Sequence, residues 1–410
     1  MTPIIRLTIP ILIGMIGANY CCDIIRWNNP FIITIFALLA FTITLLYFIL
    51  LKTKRKNTIL TTLYTLSTYS LFLLFGFILS LHSISKTKNL YGEEWRNSVY
   101  KANPLQVEFA QFTQQKIVNW YQAHGLTDQE GAIIQAMTIG YKSNISKETK
   151  EAFSKAGVSH ILALSGFHVS ILYIILQIVF LSHIVSHRLK WISQLFILLS
   201  LWIYASIAGM SPSLVRAVMM CTIISISSLH THQPLSLNAL ALSALIHLLI
   251  NPIVYLHVGF QLSYLSMLGI YFIGIPLCRL YNAVCIIDKF LWCTICISIS
   301  CTLFTLPIVS YTFGYITLVS IPANIIITTL TYLIFMIFPF YLLSSGNIIF
   351  SSVVTYISHM MITAAQNISS IPLSTLNTTF TLPAIILYYS ILCMVVIMMK
   401  YIKKTEITMV

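Results

Sequence analysis

From Phe290 to Met399 the chain carries no charged residue, and between Lys190 and Arg279 it carries one, Arg216. Runs of this kind are stable only in lipid or inside a bundle of helices, where each backbone polar group finds its partner within its own segment. A soluble domain needs about 25% charged residues to cover its surface. Here 8% of 410 residues are charged and 58% are hydrophobic. Those values exclude a soluble enzyme, a disordered chain and a secreted disulfide scaffold. The fold class they define is an all-α polytopic membrane protein.

A span takes about 20 mostly apolar residues. Candidate spans cover 4–22, 31–51, 58–82, 158–181, 190–208, 212–229, 235–251, 254–276, 288–306, 320–343, 347–367 and 382–400, about twelve in all. The first run carries Pro10 and shows no small-residue cleavage site after it, so it reads as a retained span. The net charge is +13. Cytoplasmic loops collect Lys and Arg, and the basic cluster at 52–56 is therefore expected inside. Counting spans from that cluster puts both termini inside, together with Arg6, Arg188, Lys190, Arg279, Lys289, Lys400, Lys403 and Lys404. Arg26 falls outside and Arg216 falls within the membrane. This topology explains most of the positive charge without an anionic ligand. It expects a reporter fused at Thr53 to be cytoplasmic and one near Gln129 to be external.

The organisation that follows is N-terminal membrane helices over 1–82, an extracytoplasmic helical segment over 83–157, a membrane domain over 158–400 and a basic cytoplasmic tail over 401–410. The segment 83–157 holds most of the acidic residues. Pro104 opens an expected helix with Leu105, Phe109 and Phe112 on one face. Thr127 with Glu130 reads as a capping box and Ser146 as an N-cap. A compact helical cap is expected, with Trp95, Trp120 and Tyr121 suited to the membrane interface.

Three segments could carry chemistry. In GVSHILALSGFHVSILY (157–173), Ser165 and His168 are three apart and share a helical face, while Gly166, Ser170, Tyr173 and Gln177 form a second stripe. His168 reads first as a neutral residue bonded to a neighbouring helix, and otherwise as part of a polar interior. In GMSPSLVRAVMM (209–220), Ser211 is placed to cap a helix that Pro212 begins. Arg216 follows one turn inside. A cation there works against the helix dipole and costs at least ~2.5 kcal/mol in lipid. No intramembrane carboxylate can pair with it, so it snorkels to the headgroups or meets carbonyls, water or an anion. In HVGFQLSYLSMLGIY (257–271), His257, Gln261, Tyr264 and Tyr271 form a polar and aromatic stripe, beside a small-residue stripe of Gly259, Ser263, Ser266 and Gly269 suited to close helix contact. Pro307 and Gly314 flank an expected broken stretch, and IPAN (321–324) sets Pro322 and Asn324 at a helix start.

Other signals are weak. The nine cysteines lie mostly in apolar runs and give no disulfide framework. Cys293 and Cys296 form a CxxC with no second ligand pair, and the HxH at His230 and His232 lacks a following Asp-His. There is no phosphate-binding GxxxxGK[ST] motif. No metal, cofactor or enzymatic centre is expected.

Taken in order, the motifs resemble the competence domain of the ComEC family of DNA-uptake channels. ALSGFHVSIL (163–172), SPSLVRAVMM (211–220), NALALSALIHLLINP (238–252) with VGFQLSYLSMLGI (258–270), and TLPIVSYTFGYITLVSIPANIII (305–327) are similar to four successive blocks of that family. The resemblance covers residues 125–345. Neither the external OB-fold nor the C-terminal metallo-β-lactamase-like domain of the family's longer members is expected from these residues. The resemblance implies a channel for single-stranded DNA in the bacterial cytoplasmic membrane during natural transformation. It further implies a cytoplasmic helicase or translocase to pull the strand and an external DNA receptor to deliver it. Ser165, His168, Arg216, His257, Gln261, Tyr264 and Asn324 are then candidates for the DNA path. Two other readings stand beside it: a transporter or flippase for a lipid-linked or small anionic substrate, and an inactive or structural membrane subunit.

Overall fold

Apolar runs without charge fold into helix after helix. The computed structural model describes residues 3–21, 58–91, 104–180, 187–230, 236–281 and 284–408. The expected span over 31–51, the basic cluster at 52–56, Arg26, Trp95 and His232 lie outside the described residues. The described chain forms two compact units, one drawn from residues 1–101 and 222–260 and the other from 102–221 and 261–410.

The helices are α1 (Pro3–Cys21), α2 (Thr58–Tyr91), α3 (Pro104–Ala123), α4 (Asp128–Ile139), α5 (Lys147–Lys155), α6 (Ser159–Leu162), α7 (Gly166–Val179), α8 (His187–Ile207), α9 (Pro212–His230) and α10 (Ser236–Ile250). They continue with α11 (Val258–Gly269), α12 (Ile275–Cys278), α13 (Ile286–Phe313), α14 (Ser320–Leu343), α15 (Ile348–Ser369) and α16 (Leu382–Thr408). A π-turn at Ile270–Gly274 joins α11 to α12. Two short strands, β1 (Tyr315–Thr317) and β2 (Thr375–Asn377), pair antiparallel with Ile316 opposite Leu376.

Six helices among the described residues are long and apolar enough to cross a membrane: Thr68–Lys88, Lys190–Ile207, Val258–Cys278, Ile286–Phe313, Ser320–Leu343 and Ile348–Ser369. Five shorter apolar helices occupy other expected spans, among them Gly166–Val179 and Pro212–Ser227. At about 1.5 Å per residue, a helix of this shorter kind covers ~20–25 Å of the roughly 30 Å hydrocarbon core. The described residues thus hold six membrane-length helices and five shorter apolar ones, against an expected count of about twelve spans of which that over 31–51 lies outside the described residues.

In the first unit α1 lies against α2 with a glycine on each side of the crossing. A Cβ on Gly14 would stand 1.9 Å from the Leu73 carbonyl oxygen, and one on Gly76 would stand 2.1 Å from that of Ile11. Only glycine allows backbones so close. The Tyr255 hydroxyl donates to the Met15 carbonyl at 2.7 Å and ties the loop after α10 to α1.

In the second unit one apolar core joins α3, α4 and the α5–α6 region to α14 and α15, through Tyr121, Ile133, Met137, Phe153, Ile334, Tyr341 and Met361. Gln114 on α3 donates to the carbonyls of Ile139 (2.9 Å) and Ile207 (3.0 Å), and so satisfies the ends of α4 and α8. Ser146 caps α5 as expected, accepting from the Thr149 N–H at 3.1 Å. The Thr127–Glu130 capping box does not form. The Thr127 hydroxyl donates instead to the Asp128 carboxylate, 3.3 Å away, at a turn where Asp128 takes a φ of 51°.

The expected break at Pro307 is absent, and α13 runs through it to end at Gly314. Proline removes the N–H that would bond the carbonyl four residues back. That carbonyl, of Leu303, accepts the Tyr388 hydroxyl at 2.9 Å, and Phe304 accepts that of Tyr389 at 2.8 Å. Tyrosines on α16 thus replace the missing bond. The small-residue stripe of α11 does approach α13 closely: a Cβ on Gly269 would stand 2.5 Å from the Ser300 carbonyl oxygen.

Candidate functional site: a buried guanidinium at a helix start

The loop before α7 ends at Ser165, the N-cap of that helix. A helix start leaves backbone N–H groups without intrahelical partners. His168, in the first turn, reaches back, and its Nδ1 accepts the Ser165 N–H at 3.1 Å, with the Ser165 hydroxyl 3.0 Å away. Nδ1 is an acceptor here, so the ring proton sits on Nε2. That Nε2 is buried without a hydrogen-bond partner, and His168 is only 1% exposed. The expected bond from His168 to a neighbouring helix is replaced by one to its own helix start. The shared face of Ser165 and His168 is the cap itself.

Arg216 stands one turn inside α9 and is 6% exposed. Its Nε and Nη1 have no hydrogen-bond partner. The guanidinium lies 5.9 Å from the Tyr264 ring centroid, within cation–π range, and the thiols of Cys221 and Cys301 are its other electrostatic neighbours. Its Nη2 reaches the start of α7, 2.9 Å from where a Cβ on Gly166 would stand. The missing side chain at Gly166 makes room for the guanidinium. Snorkelling is not what the structure shows: the side chain turns inward, onto another helix's first turn.

A guanidinium beside the positive end of a helix is an arrangement of like charges. It becomes favourable when an anion accepts from both, since exposed N–H groups at helix starts bind phosphate and carboxylate. The guanidinium donors without hydrogen-bond partners here are Arg216 Nε and Nη1; at the start of α7 the Ser165 hydroxyl and His168 Nδ1 already accept backbone N–H groups. The other candidates are distributed differently. Gln261 and Tyr264 sit on α11 in the same unit. Asn324 stands one turn inside α14, its Oδ1 buried and without a hydrogen-bond partner. His257 belongs to the other unit, where its Nδ1 accepts the Gly259 N–H at 3.1 Å and caps α11. Ser211 does not cap α9, and its hydroxyl is buried without a partner. Sequence reading missed Gln114 and the ring contacts of Phe167 with Tyr332 (4.6 Å) and of His168 with Phe335 (5.1 Å). Among the described residues no group of His, Cys, Asp or Glu could hold a metal ion.

Gly166→Ala tests the geometry. The intruding methyl meets the mobile end of a side chain, so the chain should fold and insert normally while the guanidinium swings away. Loss of one charge-assisted contact, worth about 1.5–3 kcal/mol, corresponds to roughly a tenfold or greater fall in the activity that depends on it. Unchanged activity would show that the contact between α7 and Arg216 is incidental.

Fold and site together define a polytopic helical membrane protein with a cation buried among its helices. A family model described as "Competence protein" matches residues 137–403, and the chain belongs to that family. ComE operon protein 3 of Bacillus subtilis strain 168 is 28% identical over 245 residues, which are 60% of this chain and 29% of that protein. The chain thus spans less than a third of the length of that relative. No solved structure matches it. The family match encloses the four motif blocks that resemble ComEC and contains both Arg216 and His168.

Proposed function

We propose that this chain passes single-stranded DNA across the cytoplasmic membrane during natural transformation. The observation that carries the proposal is the buried guanidinium of Arg216, directed at the start of α7 with its Nε and Nη1 free of hydrogen-bond partners. A phosphodiester carries the charge and the acceptor oxygens that this arrangement lacks. Single strands are guided by cations along aromatic and polar surfaces that tolerate any base; the Tyr264 ring lies beside Arg216, and Gln261 stands one turn before Tyr264 on α11. Family membership and the likeness to a ComE operon protein support the same reading. Both termini are cytoplasmic in this proposal, a cytoplasmic helicase or translocase draws the strand inward, and an external receptor delivers it. The chain itself carries out no bond-breaking step.

Photocrosslinking tests this in cells. Donor DNA containing bromodeoxyuridine, irradiated during uptake, should attach covalently to this chain. Attachment should fall when the strand cannot be pulled inward. If only lipid-linked or small anionic probes attach and DNA does not, the transporter reading replaces this one.

A further inference from the structure

The helix α14 has two faces of opposite demand. Ile326, Leu333, Met336, Phe340 and Leu343 form an exposed apolar stripe along it. These residues fall at spacings of seven, three, four and three and cover ~25 Å of helix at about 1.5 Å per residue. An exposed stripe of that length on a membrane-length helix belongs in lipid. The other face of α14 meets the hydrophilic segment, and it does so at both ends. Gly157 abuts Ser320 so closely that a Cβ there would stand 2.7 Å from that of Ser320. Near the far end the Tyr341 hydroxyl donates to the His124 carbonyl at 3.3 Å, and the Trp120 and Tyr341 rings lie 5.8 Å apart. Ser320 and Tyr341 are ~32 Å apart along α14, about the thickness of the hydrocarbon core. The turn between α3 and α4 is therefore level with the far end of a helix whose outer face needs lipid.

A segment carried to that depth should be apolar wherever lipid reaches it; α3 exposes Phe109 and Phe112, but a polar row runs beside them. Glu108, Gln111, Gln115, Asn119 and Gln122 form an exposed polar stripe at spacings of three, four, four and three. On α15, Ser352, Tyr356, His359, Thr363 and Gln366 form another, at four, three, four and three. A cavity of about 440 Å³ opens where α15 meets the start of α4, lined by Gly125, Glu130, Thr355, Tyr356 and His359 among others. A charged side chain at the centre of a bilayer costs at least ~2.5 kcal/mol, and polar backbone or side chains at that depth are found against protein or water.

We infer that the α3–α4 hairpin is re-entrant, dipping through the bilayer along α14, and that the polar stripes of α3 and α15 face water at membrane depth. Both ends of the hairpin stay on the side where the sequence expects residues 83–157, while its tip at His124–Gly125 lies deep. Apart from the carboxylate of Glu108, at the end of α3 away from the tip, the stripes are built of amides, hydroxyls and aromatic rings, which suit the bases and sugars of a single strand irrespective of sequence. That last assignment rests on the function proposed above; the re-entrant hairpin and its water do not.

Single cysteines in the full-length chain, in membranes and with the native cysteines replaced by serine, test this directly. Gln115→Cys, Asn119→Cys, His359→Cys and Gln366→Cys should label to completion with a membrane-impermeant charged thiol reagent. Leu333→Cys and Met336→Cys should resist it, and a fluorophore placed there should be quenched by brominated acyl chains. Each variant is first checked for accumulation in the membrane. Free labelling and no quenching at Leu333→Cys and Met336→Cys would place α14 outside the bilayer and overturn the inference. Protection at the four polar positions would overturn it too, by showing the stripes covered. Full labelling of the stripes, with quenching on α14, upholds the hairpin even in a chain that fails to crosslink DNA.

Discussion

Arg216→Gln should remove most DNA passage while leaving the chain inserted and abundant. The guanidinium is buried, its Nε and Nη1 are unpartnered, and its remaining nitrogen faces the start of α7. Stability does not require such a charge, because a buried ion costs more free energy than a buried neutral amide. The anion contact does depend on it. A charge-assisted hydrogen bond contributes about 1.5–3 kcal/mol, so passage should fall roughly ten- to a hundredfold. Arg216→Lys keeps the charge and loses the planar fork, and it should retain part of the activity. Transformation frequency, normalised to the amount of chain in the membrane, is the measure. Wild-type frequency for Arg216→Gln would remove the phosphate role and leave Arg216 as a structural contact with Tyr264.

The second large effect is on folding. Gly14→Ala and Gly76→Ala each set a methyl group about 2 Å from a carbonyl oxygen of the facing helix, a backbone atom that cannot swing aside. The helices must separate along their whole contact. Overpacking in a well-filled core costs typically 1–3 kcal/mol and more where backbone must move. Loss of most of the accumulated protein, and a lowered Tm of what remains in detergent, is the expected result. Gly17→Ala is the control, since its Cβ would meet only the Phe77 ring at an ordinary 3.7 Å. Normal accumulation and Tm for all three variants would mean that α1 and α2 do not cross as described.

Much of this is legible in the residues alone. Charge-free runs announce lipid, and the isolation of Arg216 in one of them is enough to single it out. Gly269, in a stripe of small residues, does meet α13 closely. What the sequence hides is decided by distant partners. Pro307 reads as a helix break because nothing near it in the chain reveals that Tyr388 bonds the carbonyl it frees. His168 reads as a residue facing a partner helix because spacing does not say where a helix begins, and a side chain in the first turn caps where one in the middle could not. The two glycines of the α1–α2 crossing are separated by a long stretch of chain and only a pairing in space joins them.

Passage of the strand itself is the central claim, and following labelled donor DNA in a deletion strain addresses it most directly. Cells lacking this chain should bind fluorescent donor DNA at their surface as wild type does and hold none in the cytoplasm. Restoring the wild-type chain should return it there, and Arg216→Gln should not. Cytoplasmic donor DNA at the wild-type level in the deletion strain would contradict the account.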